Sequence, residues 1–310
     1  MSAISIGLIV VAIALAVFVG VRGYYWYCEG KKLQTSGYMT PASTKLARWT
    51  FKAVANVGTR LLVGPVTVIG RENSFYKGRG LVLPNHVITH DFIVVGKTMP
   101  YGYRQLSKAA EIKNPVVATL AAWIGTVGVQ VEGGKAQDGG GQAVVDTGAK
   151  IITASPGSRM LLFPQGMLTY TGDISPKTFR TGATRMLAKA ASEINGEPLF
   201  VHPIAIDYKR NRSDATFFQK VVYLMGLQLL RTFRYKDKLV NPDGTPALDD
   251  EGKIQWTVKK SMVLYGATVV IGKPIPYADL PADPREAIEY IRQRIEAQLA
   301  VAQGKSSAAI

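Results

Sequence analysis

The sequence contains 310 residues, of which 47% are hydrophobic, and this is enough for one large or two small domains with a sizeable core. Its 37 lysine and arginine residues exceed the 22 acidic residues, and the formal net charge of +15 favours anionic partners: nucleic acid, acidic lipid or phosphorylated substrates. The single cysteine excludes a disulfide scaffold and a cysteine-based zinc site, and three histidines argue against a histidine-rich metal site.

Residues 3–21 carry no charged side chain and are long enough to cross the hydrocarbon core of a bilayer as a helix. The aromatic residues 24–27, then Lys31 and Lys32, are typical of an interfacial belt and a cytoplasmic flank. We therefore predict a single-pass transmembrane anchor in residues 1–32, with the remainder of the chain on the cytoplasmic side. A cleaved signal peptide is one alternative, although bulky aromatic residues make a poor cleavage site and the N-terminus lacks a basic region. A buried soluble helix is the other.

Residues 41–62 predict a basic amphipathic helix that begins after Thr40. Lysine and arginine residues are interleaved with apolar residues that recur at roughly helical spacing. These apolar residues are Leu46, Trp49, Phe51, Val54, Val57 and Leu61. Such a helix can lie on a membrane surface, or it can pack on the core with its basic face in water, and the sequence leaves both open.

From residue 63 to residue 302 strand-like and helical patterns alternate, which predicts a layered α/β domain with a mostly parallel central sheet flanked by helices. The predicted strands are residues 66–70, 80–83, 104–108, 126–131, 159–163, 199–206 and 267–275. The predicted helices are residues 91–99, 115–123, 143–154, 181–193 and 283–302. Residues 133–142 are glycine-rich and predict a flexible loop. Residues 209–262 predict an insertion, in which residues 217–233 form either a membrane-facing helix or an extra core helix.

A polar group follows the apolar run that ends at Pro84, a residue that cannot donate to a sheet ladder. Asn85 and His86 come next, at the strand's carboxyl end, where open α/β sheets bind their ligands. Asp91 lies at the predicted helix start, and a folded-back loop would bring its carboxylate to the imidazole. A histidine held by an aspartate makes a general base near neutral pH. A capping aspartate beside a structural histidine is the alternative.

A second group of residues is predicted at the same edge of the sheet. Residues 163–166, Phe-Pro-Gln-Gly, form a strand end followed by a glycine that lets the backbone approach a ligand. Residues 167–178 are polar and predict a flexible, exposed segment. Arg180, just before Gly182 and a helix, can meet an anionic group near that helix N-terminus. Ordinary turn glycines and a solvated arginine are the alternatives.

These segments together resemble the glycerolipid acyltransferase family, typified by 1-acylglycerol-3-phosphate acyltransferases. The resemblance lies in the order and spacing of several blocks over about residues 60–300. The blocks are Asn85-His86-x4-Asp91 and residues 107–125, 163–166, 179–182, 202–205 and 271–275.

The resemblance implies that His86 deprotonates an acceptor hydroxyl, which then attacks the thioester of acyl-CoA or acyl-carrier protein, while Asp91 orients the imidazole. His90 is a competing base but lacks the register of the motif. The implied partners are membrane lipids and the acyl carrier, with no metal and no cofactor besides the acyl donor. The candidate substrate-binding residues are Asn85, Lys108, Gln165, Gly166, Arg180 and Gly182.

The sequence departs from the family pattern around the acceptor. Gln165 stands where the family usually has glutamate, Met167-Leu168 where it has Thr-Arg, and Gly133-Gly134 where an arginine is frequent. Those arginines are associated with the acceptor phosphate, and a phosphate site needs fixed cationic donors. Either the acceptor is another lipid, or other cations bind phosphate, or the chain is a non-catalytic lipid-binding or scaffold homologue. The candidate substitutes are Lys108, Lys135, Arg159, Lys177 and Arg180.

Other classes of protein find little support in the sequence. It contains no zinc-finger spacing or RNA-recognition aromatic signature, and anionic lipid explains the basic charge more simply than nucleic acid. It contains no Gly-x-Ser-x-Gly elbow, Walker loop or dinucleotide fingerprint. We therefore predict a membrane-bound O-acyltransferase that acts on a lysophospholipid or related lipid.

Overall fold

The structure is a computed structural model. It describes residues 3–33, 38–75, 78–100, 102–129, 131–132, 135–136, 140–170, 172, 174–194, 196–210, 232–235, 239, 241, 247–250, 252, 255 and 260–305. The helices are α1 (Ala3–Lys32), α2 (Lys45–Leu62), α3 (Asp91–Thr98), α4 (Pro115–Trp123), α5 (Gly140–Thr153), α6 (Gly182–Glu193) and α7 (Pro284–Ala302). The strands are β1 (Val66–Ile69), β2 (Arg79–Pro84), β3 (Tyr103–Lys108), β4 (Val127–Val129), β5 (Val131–Glu132), β6 (Lys135–Ala136), β7 (Arg159–Leu161), β8 (Leu199–Lys209), β9 (Thr232–Tyr235), β10 (Lys260–Val263), β11 (Gly266–Ile271) and β12 (Ile275–Pro276).

An eight-stranded sheet forms the centre of the structure, in the order β1–β11–β8–β2–β7–β3–β4, with β12 paired to β8. Strand β2 pairs in parallel with β7 and β8, and β3 pairs in parallel with β7 and β4. Strand β8 is antiparallel to β11 and β12, while β1 and β11 are parallel. The predicted α/β class with a mostly parallel central sheet is therefore confirmed.

Strand β2 lies in the middle of this sheet, and all of its residues are buried. Leu81 and Leu83 belong to one core cluster with residues of α5, α6 and α7, whereas Val82 belongs to a second cluster with residues of α3. Successive side chains of a strand point to opposite faces. A continuous apolar run is therefore what a strand with helices on both faces requires.

Two helices begin at the capping signals that the sequence carries. The Asn114 side chain accepts hydrogen bonds from two backbone N–H groups in the first turn of α4, at 2.9 and 3.3 Å, and Pro115 is the first helical residue. Asp283 accepts two such bonds at the start of α7, at 2.7 and 3.1 Å. Local signals therefore fix where these two helices begin.

Helix α2 begins at Lys45, later than the predicted start after Thr40. The Thr44 hydroxyl is the N-cap and accepts a hydrogen bond from the Ala47 N–H at 3.1 Å. The Thr40 hydroxyl instead donates to the distant carbonyl of Thr126 at 2.8 Å, which holds this residue in an extended segment. A tertiary contact therefore replaces the predicted cap.

The two irregular regions differ from the prediction in part. Helix α5 already begins at Gly140, within the predicted glycine-rich loop, while residues 137–139 lie outside the described residues. Residues 211–231, which hold most of the predicted helix at residues 217–233, also lie outside them. The end of that segment is strand β9, which pairs antiparallel with β10 and is not helical.

Part of the predicted interfacial belt on α1 packs inside the protein. Trp26 is buried in a cluster with residues of α4, and Gly30 lets the α1 backbone approach that of Ala118 closely. Only Tyr24 and Tyr25 are strongly exposed among the four aromatic residues. Within the part of the chain that the structure describes, no helix has both the length and the apolar character needed to cross a membrane. In the predicted membrane-crossing segment, the side chains of residues 3–16 and of residue 18 lie outside the described part.

Candidate active site

His86 lies just after the carboxyl end of β2, where Pro84 is the last strand residue. Its imidazole stacks on the ring of Phe163, with the ring centroids 4.0 Å apart and the planes at 15°. Its Nδ1 atom lies 2.8 Å from Oδ2 of Asp91. Asp91 is fully buried, whereas 19% of the His86 side chain is exposed. The pair therefore consists of a shielded carboxylate and an imidazole that solvent or a substrate can reach.

The Asp91 carboxylate is held by three further donors. Its Oδ2 atom accepts the backbone N–H groups of Val87 at 2.6 Å and Ile88 at 3.0 Å, and its Oδ1 atom accepts the Tyr208 hydroxyl at 2.5 Å. Asp91 is also the first residue of α3, where the helix dipole favours a negative charge. These contacts fix the carboxylate as the partner that keeps a proton on His86 Nδ1 and leaves the lone pair on Nε2.

Tyr208 is a site residue that the sequence did not predict. Strand β8 continues to Lys209, beyond the predicted end at residue 206, and this extension brings the phenol to Asp91. Burial, followed by the negative charge of Asp91, holds the pKa of Tyr208 well above its usual range. The phenol therefore stays protonated and donates its hydrogen bond. The one local signal was an aromatic residue two positions after the apolar run of the strand, with Asp207 between them.

Gln165 supports the backbone of His86. Its side chain is fully buried, its Oε1 atom accepts the His86 N–H at 2.5 Å, and its Nε2 atom donates to the Thr178 hydroxyl at 3.3 Å. An amide provides both an acceptor and a donor here, which a carboxylate would not. Gln165 therefore positions the loop that holds His86.

Part of the segment predicted to be flexible and exposed, residues 167–178, is hydrogen-bonded to the same loop. The backbone N–H and the hydroxyl of Thr169 both donate to the His86 carbonyl, at 3.0 and 2.8 Å. The Tyr170 N–H donates to the Val87 carbonyl at 3.1 Å, and Tyr170 has a positive φ of 27°. Two segments that are distant in the sequence therefore brace one another beside the imidazole.

Asn85 is fully buried, and both polar atoms of its side-chain amide form hydrogen bonds with the backbone of Ile206. Its Nδ2 atom donates to the Ile206 carbonyl at 3.0 Å, and its Oδ1 atom accepts the Ile206 N–H at 2.7 Å. This geometry gives Asn85 the role of tying the end of β2 to β8. Both polar atoms of this side chain are therefore occupied by backbone partners.

Gly166, Arg180 and Gly182 lie close to the same edge of the sheet. Gly166 has a positive φ of 64°, which favours glycine. The Arg180 backbone N–H donates to the Pro164 carbonyl at 2.9 Å, so the arginine lies beside the segment that follows β7, and its side chain is half-buried. A Cβ at Gly182 would meet no atom within 4 Å, so packing does not require glycine at this first residue of α6.

Two of the predicted substitutes for the acceptor arginines lie away from His86. Lys108 is exposed at the carboxyl end of β3, which lies two strands from β2. Arg159 is at the amino end of β7, the opposite edge of the sheet from His86, and its Nε atom donates to the Gly78 carbonyl at 3.2 Å. The side chains of Lys135 and Lys177 lie outside the described residues.

The other histidines have different surroundings. Burial, opposed by Asp91, lowers the pKa of His90, whose Nδ1 atom lies 3.1 Å from the Thr89 hydroxyl. Burial, with the charge of Arg159, lowers the pKa of His202 to about 3, so this fully buried residue of β8 is neutral. Among the residues described, no group of three or more histidine, cysteine or acidic side chains could hold a metal ion.

The fold and this geometry define an α/β protein with a His–Asp pair at the carboxyl edge of a largely parallel sheet. Residues 65–207 match the model of the Acyltransferase family. This stretch runs from the start of β1 almost to the end of β8 and contains His86, Asp91 and Gln165. The resemblance to acyltransferases predicted from the sequence is confirmed.

Among solved structures, the fold is similar to the crystal structure of PlsC, the 1-acyl-sn-glycerophosphate (LPA) acyltransferase from Thermotoga maritima. The TM-score is 0.51 at 14% sequence identity, and the alignment covers 94% of this chain and 99% of that chain. At this identity the likeness is one of fold. No curated protein matches the sequence.

Proposed function

We propose that this protein is an O-acyltransferase that moves a fatty acyl group from a thioester to a lipid hydroxyl. The observation that carries the proposal is the 2.8 Å contact between His86 and Asp91, within the residues that match the Acyltransferase family. A hydroxyl is a weak nucleophile until an adjacent base removes its proton. His86, oriented by Asp91 and partly exposed, is suited to be that base.

In the proposed reaction, Nε2 of His86 accepts the proton of the acceptor hydroxyl while the hydroxyl oxygen attacks the thioester carbonyl carbon. A C–O bond forms, and the C–S bond breaks when the tetrahedral intermediate collapses. The imidazolium then returns its proton to the departing thiolate, which leaves as a thiol. Asp91 stabilises the imidazolium between these two proton transfers.

The acyl donor is proposed to be acyl-CoA or acyl-carrier protein. Both present a fatty thioester on an anionic carrier. The formal net charge of +15 would attract either carrier over a distance of about one Debye length.

The acceptor is proposed to be a lysophospholipid or a related lipid. Arg180 is half-buried beside the strand end that leads to Gln165, where a cation can meet an anionic headgroup. Met167 is partly exposed on the same segment. An apolar side chain at the surface next to the site suits a lipid better than a small polar acceptor.

An exposed apolar surface on α2 supports attachment to a membrane surface. The helix buries Ala47, Phe51, Ala55 and Thr59 against the domain, and large apolar side chains on its other side are 46% to 71% exposed. These residues, the α2 apolar face, are Leu46, Trp49, Val54, Val57 and Leu61. Basic residues of α2 flank them, as in helices that lie on anionic lipid. We propose that this face contacts the bilayer.

An acyl-transfer assay with a panel of lysolipids and labelled acyl donors tests the activity. We expect His86→Ala to lower the turnover rate roughly 100-fold to 10,000-fold, which is the range for a general base. His90→Ala is the matched control, because it removes a neighbouring imidazole that lacks the contact with Asp91. We expect that variant to retain most of the activity.

Full activity in His86→Ala would refute the mechanism. Absence of turnover with every acceptor and donor, with lipid still bound, would instead favour a non-catalytic lipid-binding or scaffold protein.

A further inference from the structure

A cavity of about 490 Å3 opens at the carboxyl end of β8, beside the His–Asp pair. Val87, which follows His86 directly, lines one side of it. Tyr208, whose hydroxyl bonds Asp91, lines another side. The cavity is therefore next to the candidate active site but is formed by other residues, from β8 and the end of α7.

The ionisable groups that line the cavity are mostly cationic. Lys209 is the last residue of β8, Arg210 follows it, and Lys305 comes from just beyond α7. Among the described residues of the lining Asp207 is the one carboxylate, and burial raises its pKa although a hydrogen bond from Gln303 and the three cations oppose this. The described part of the lining therefore has an excess of positive charge.

Three of the last carbonyl groups of α7 already accept hydrogen bonds within the chain. A helix C-terminus disfavours anions when its last carbonyl groups lack partners. Here the backbone N–H groups of Gln303, Gly304 and Lys305 donate to carbonyl groups of the last turns, at 2.8 to 3.0 Å. The carbonyl groups of Leu299, Ala300 and Val301 are therefore paired and are not free to repel an anion.

Arg210 connects the cavity to the segment that braces His86. Its guanidinium lies against Gly172, 3.9 Å from the place of a Cβ on that glycine. Two residues before Gly172, the backbone N–H of Tyr170 donates a hydrogen bond to the Val87 carbonyl. An anion bound by Arg210 would therefore lie beside the loop that carries the imidazole.

We propose that this cavity binds a phosphate group of a substrate. Phosphate is the anion for which a planar guanidinium and flexible ammonium groups are suited together. The family's usual arginine after residue 166 is replaced in this chain, and Arg159 lies at the far edge of the sheet, so this cluster provides cations near His86 in addition to Arg180. The identity of the substrate rests on the proposed function, whereas the binding of phosphate does not.

Two substrates could supply the group: the acceptor headgroup or the phosphate-bearing arm of the acyl donor. Both present the same chemistry to the cavity. The experiment therefore measures binding first and assigns the source second.

Calorimetric titration of the full chain in a neutral detergent with pyrophosphate measures the binding. We expect saturable binding that weakens as ionic strength rises. Arg210→Gln should weaken it roughly tenfold or more, as expected for loss of a charge-assisted hydrogen bond. Lys150→Gln, which removes an exposed lysine of α5 outside the cavity, should leave the affinity unchanged.

Arg210→Gln must also keep the unfolding temperature of the parent, and Lys209→Gln is the second variant if it does not. Absence of saturable binding, or equal weakening by Lys150→Gln, would overturn the proposal.

Competition against pyrophosphate identifies the source. Competition by CoA assigns the cavity to the acyl donor, and competition by a lysophospholipid with a phosphomonoester headgroup assigns it to the acceptor. If neither competes, the cavity does not bind a substrate phosphate, and the proposal fails.

The outcome is separable from the proposed activity because binding needs no turnover. If the protein transfers no acyl group but binds pyrophosphate through Arg210, the phosphate site is supported and the proposed acyl transfer is refuted. An active enzyme whose affinity for pyrophosphate is unchanged by Arg210→Gln would refute the site alone.

Discussion

Asp91 receives hydrogen bonds from the backbone of its own loop and from a tyrosine of another strand. The local donors, Val87 and Ile88, hold Oδ2 where it faces His86. Tyr208 binds the other oxygen, so the carboxylate cannot rotate without breaking a buried hydrogen bond. We expect this phenol to act as a positioning residue for the imidazole, since its hydroxyl donates to Asp91, which in turn holds His86.

Tyr208→Phe tests this role by removing a single oxygen atom. Without the phenol, the negative charge of Asp91 is less well stabilised by its surroundings and binds protonated His86 more strongly. A base must be unprotonated to act, so activity should be lost at a higher pH on the acid side, and turnover at the optimum should fall about tenfold. The measurement is the turnover rate as a function of pH.

The matched control is Tyr290→Phe, which removes the phenol oxygen of a tyrosine on α7 that bonds Arg294. A pH profile of Tyr208→Phe that coincides with those of the parent and this control would show that Tyr208 is merely structural.

His86 and Asp91 could be predicted as a pair because they share one loop and a short motif. Tyr208 could not, because its bond with Asp91 joins residues 117 positions apart and depends on the pairing of β8 with β2. The structural role of Asn85 escaped prediction for the same reason, since its partner Ile206 is 121 positions away. Local chemistry is readable in a sequence, whereas the support that a distant strand provides is not.

Among the elements, α2 and α3 are joined by a half-buried lysine. Lys52 of α2 donates to the carbonyl groups of Gly96 at 3.0 Å, Lys97 at 2.6 Å and Met99 at 2.8 Å, at the C-terminal end of α3. A cation at this end of a helix binds the carbonyl groups that lack intrahelical partners. Asp91 is at the other end of the same helix, so α2 helps to hold the frame of the site.

This contact predicts a pH dependence of stability. Burial, and then the nearby charges of Arg71 and Lys97, lower the pKa of Lys52 from 10.5 to about 8. Between these values the unfolded chain binds the proton more readily than the folded chain does. The contribution of Lys52 to the free energy of unfolding should therefore rise as the pH increases from about 8 to about 10.5.

Chemical denaturation across this range, with Lys52→Met beside the parent, measures the effect. The variant should lose this part of the slope, whereas Lys45→Met, at an exposed position of the same helix, should keep it. Equal slopes in the parent and Lys52→Met would contradict the expectation.

The elements themselves were largely predictable where side-chain periodicity and caps agree. Helix α4 spans the predicted residues 115–123, because an asparagine and a proline mark its start. The start of α2 and the end of β8 were misplaced, because a hydrogen bond from Thr40 and pairing with β11 override the local pattern. The order of strands in the sheet requires knowledge of contacts that no local pattern contains.

At the scale of the whole molecule, the α2 apolar face predicts which side meets a membrane. The chain has one cysteine, Cys28, so a Cys28→Ser background allows labelling at a chosen position. An environment-sensitive fluorophore on Trp49→Cys should shift to shorter wavelength when vesicles with anionic phospholipid are added. The same fluorophore on Leu248→Cys, also exposed but on neither α2 nor α4, should not shift.

This comparison is independent of what α1 does, because it reports the surroundings of one side chain rather than attachment as a whole. A fluorophore at position 49 that remains in water on the vesicles would refute the proposed contact, and α2 would then be a helix with its outer face in solvent.

The position of β8 between β2 and β11 has a consequence for folding. Closing a contact across more than a hundred residues carries a larger entropic cost than closing the short loop between His86 and Asp91, so the non-local contacts should form later. A nascent chain that has not yet reached residue 199 holds the His–Asp motif but lacks both Tyr208 and the partner of Asn85. We therefore expect refolded protein to regain acyl transfer only in the phase in which β8 docks, after most of the local helical structure has returned.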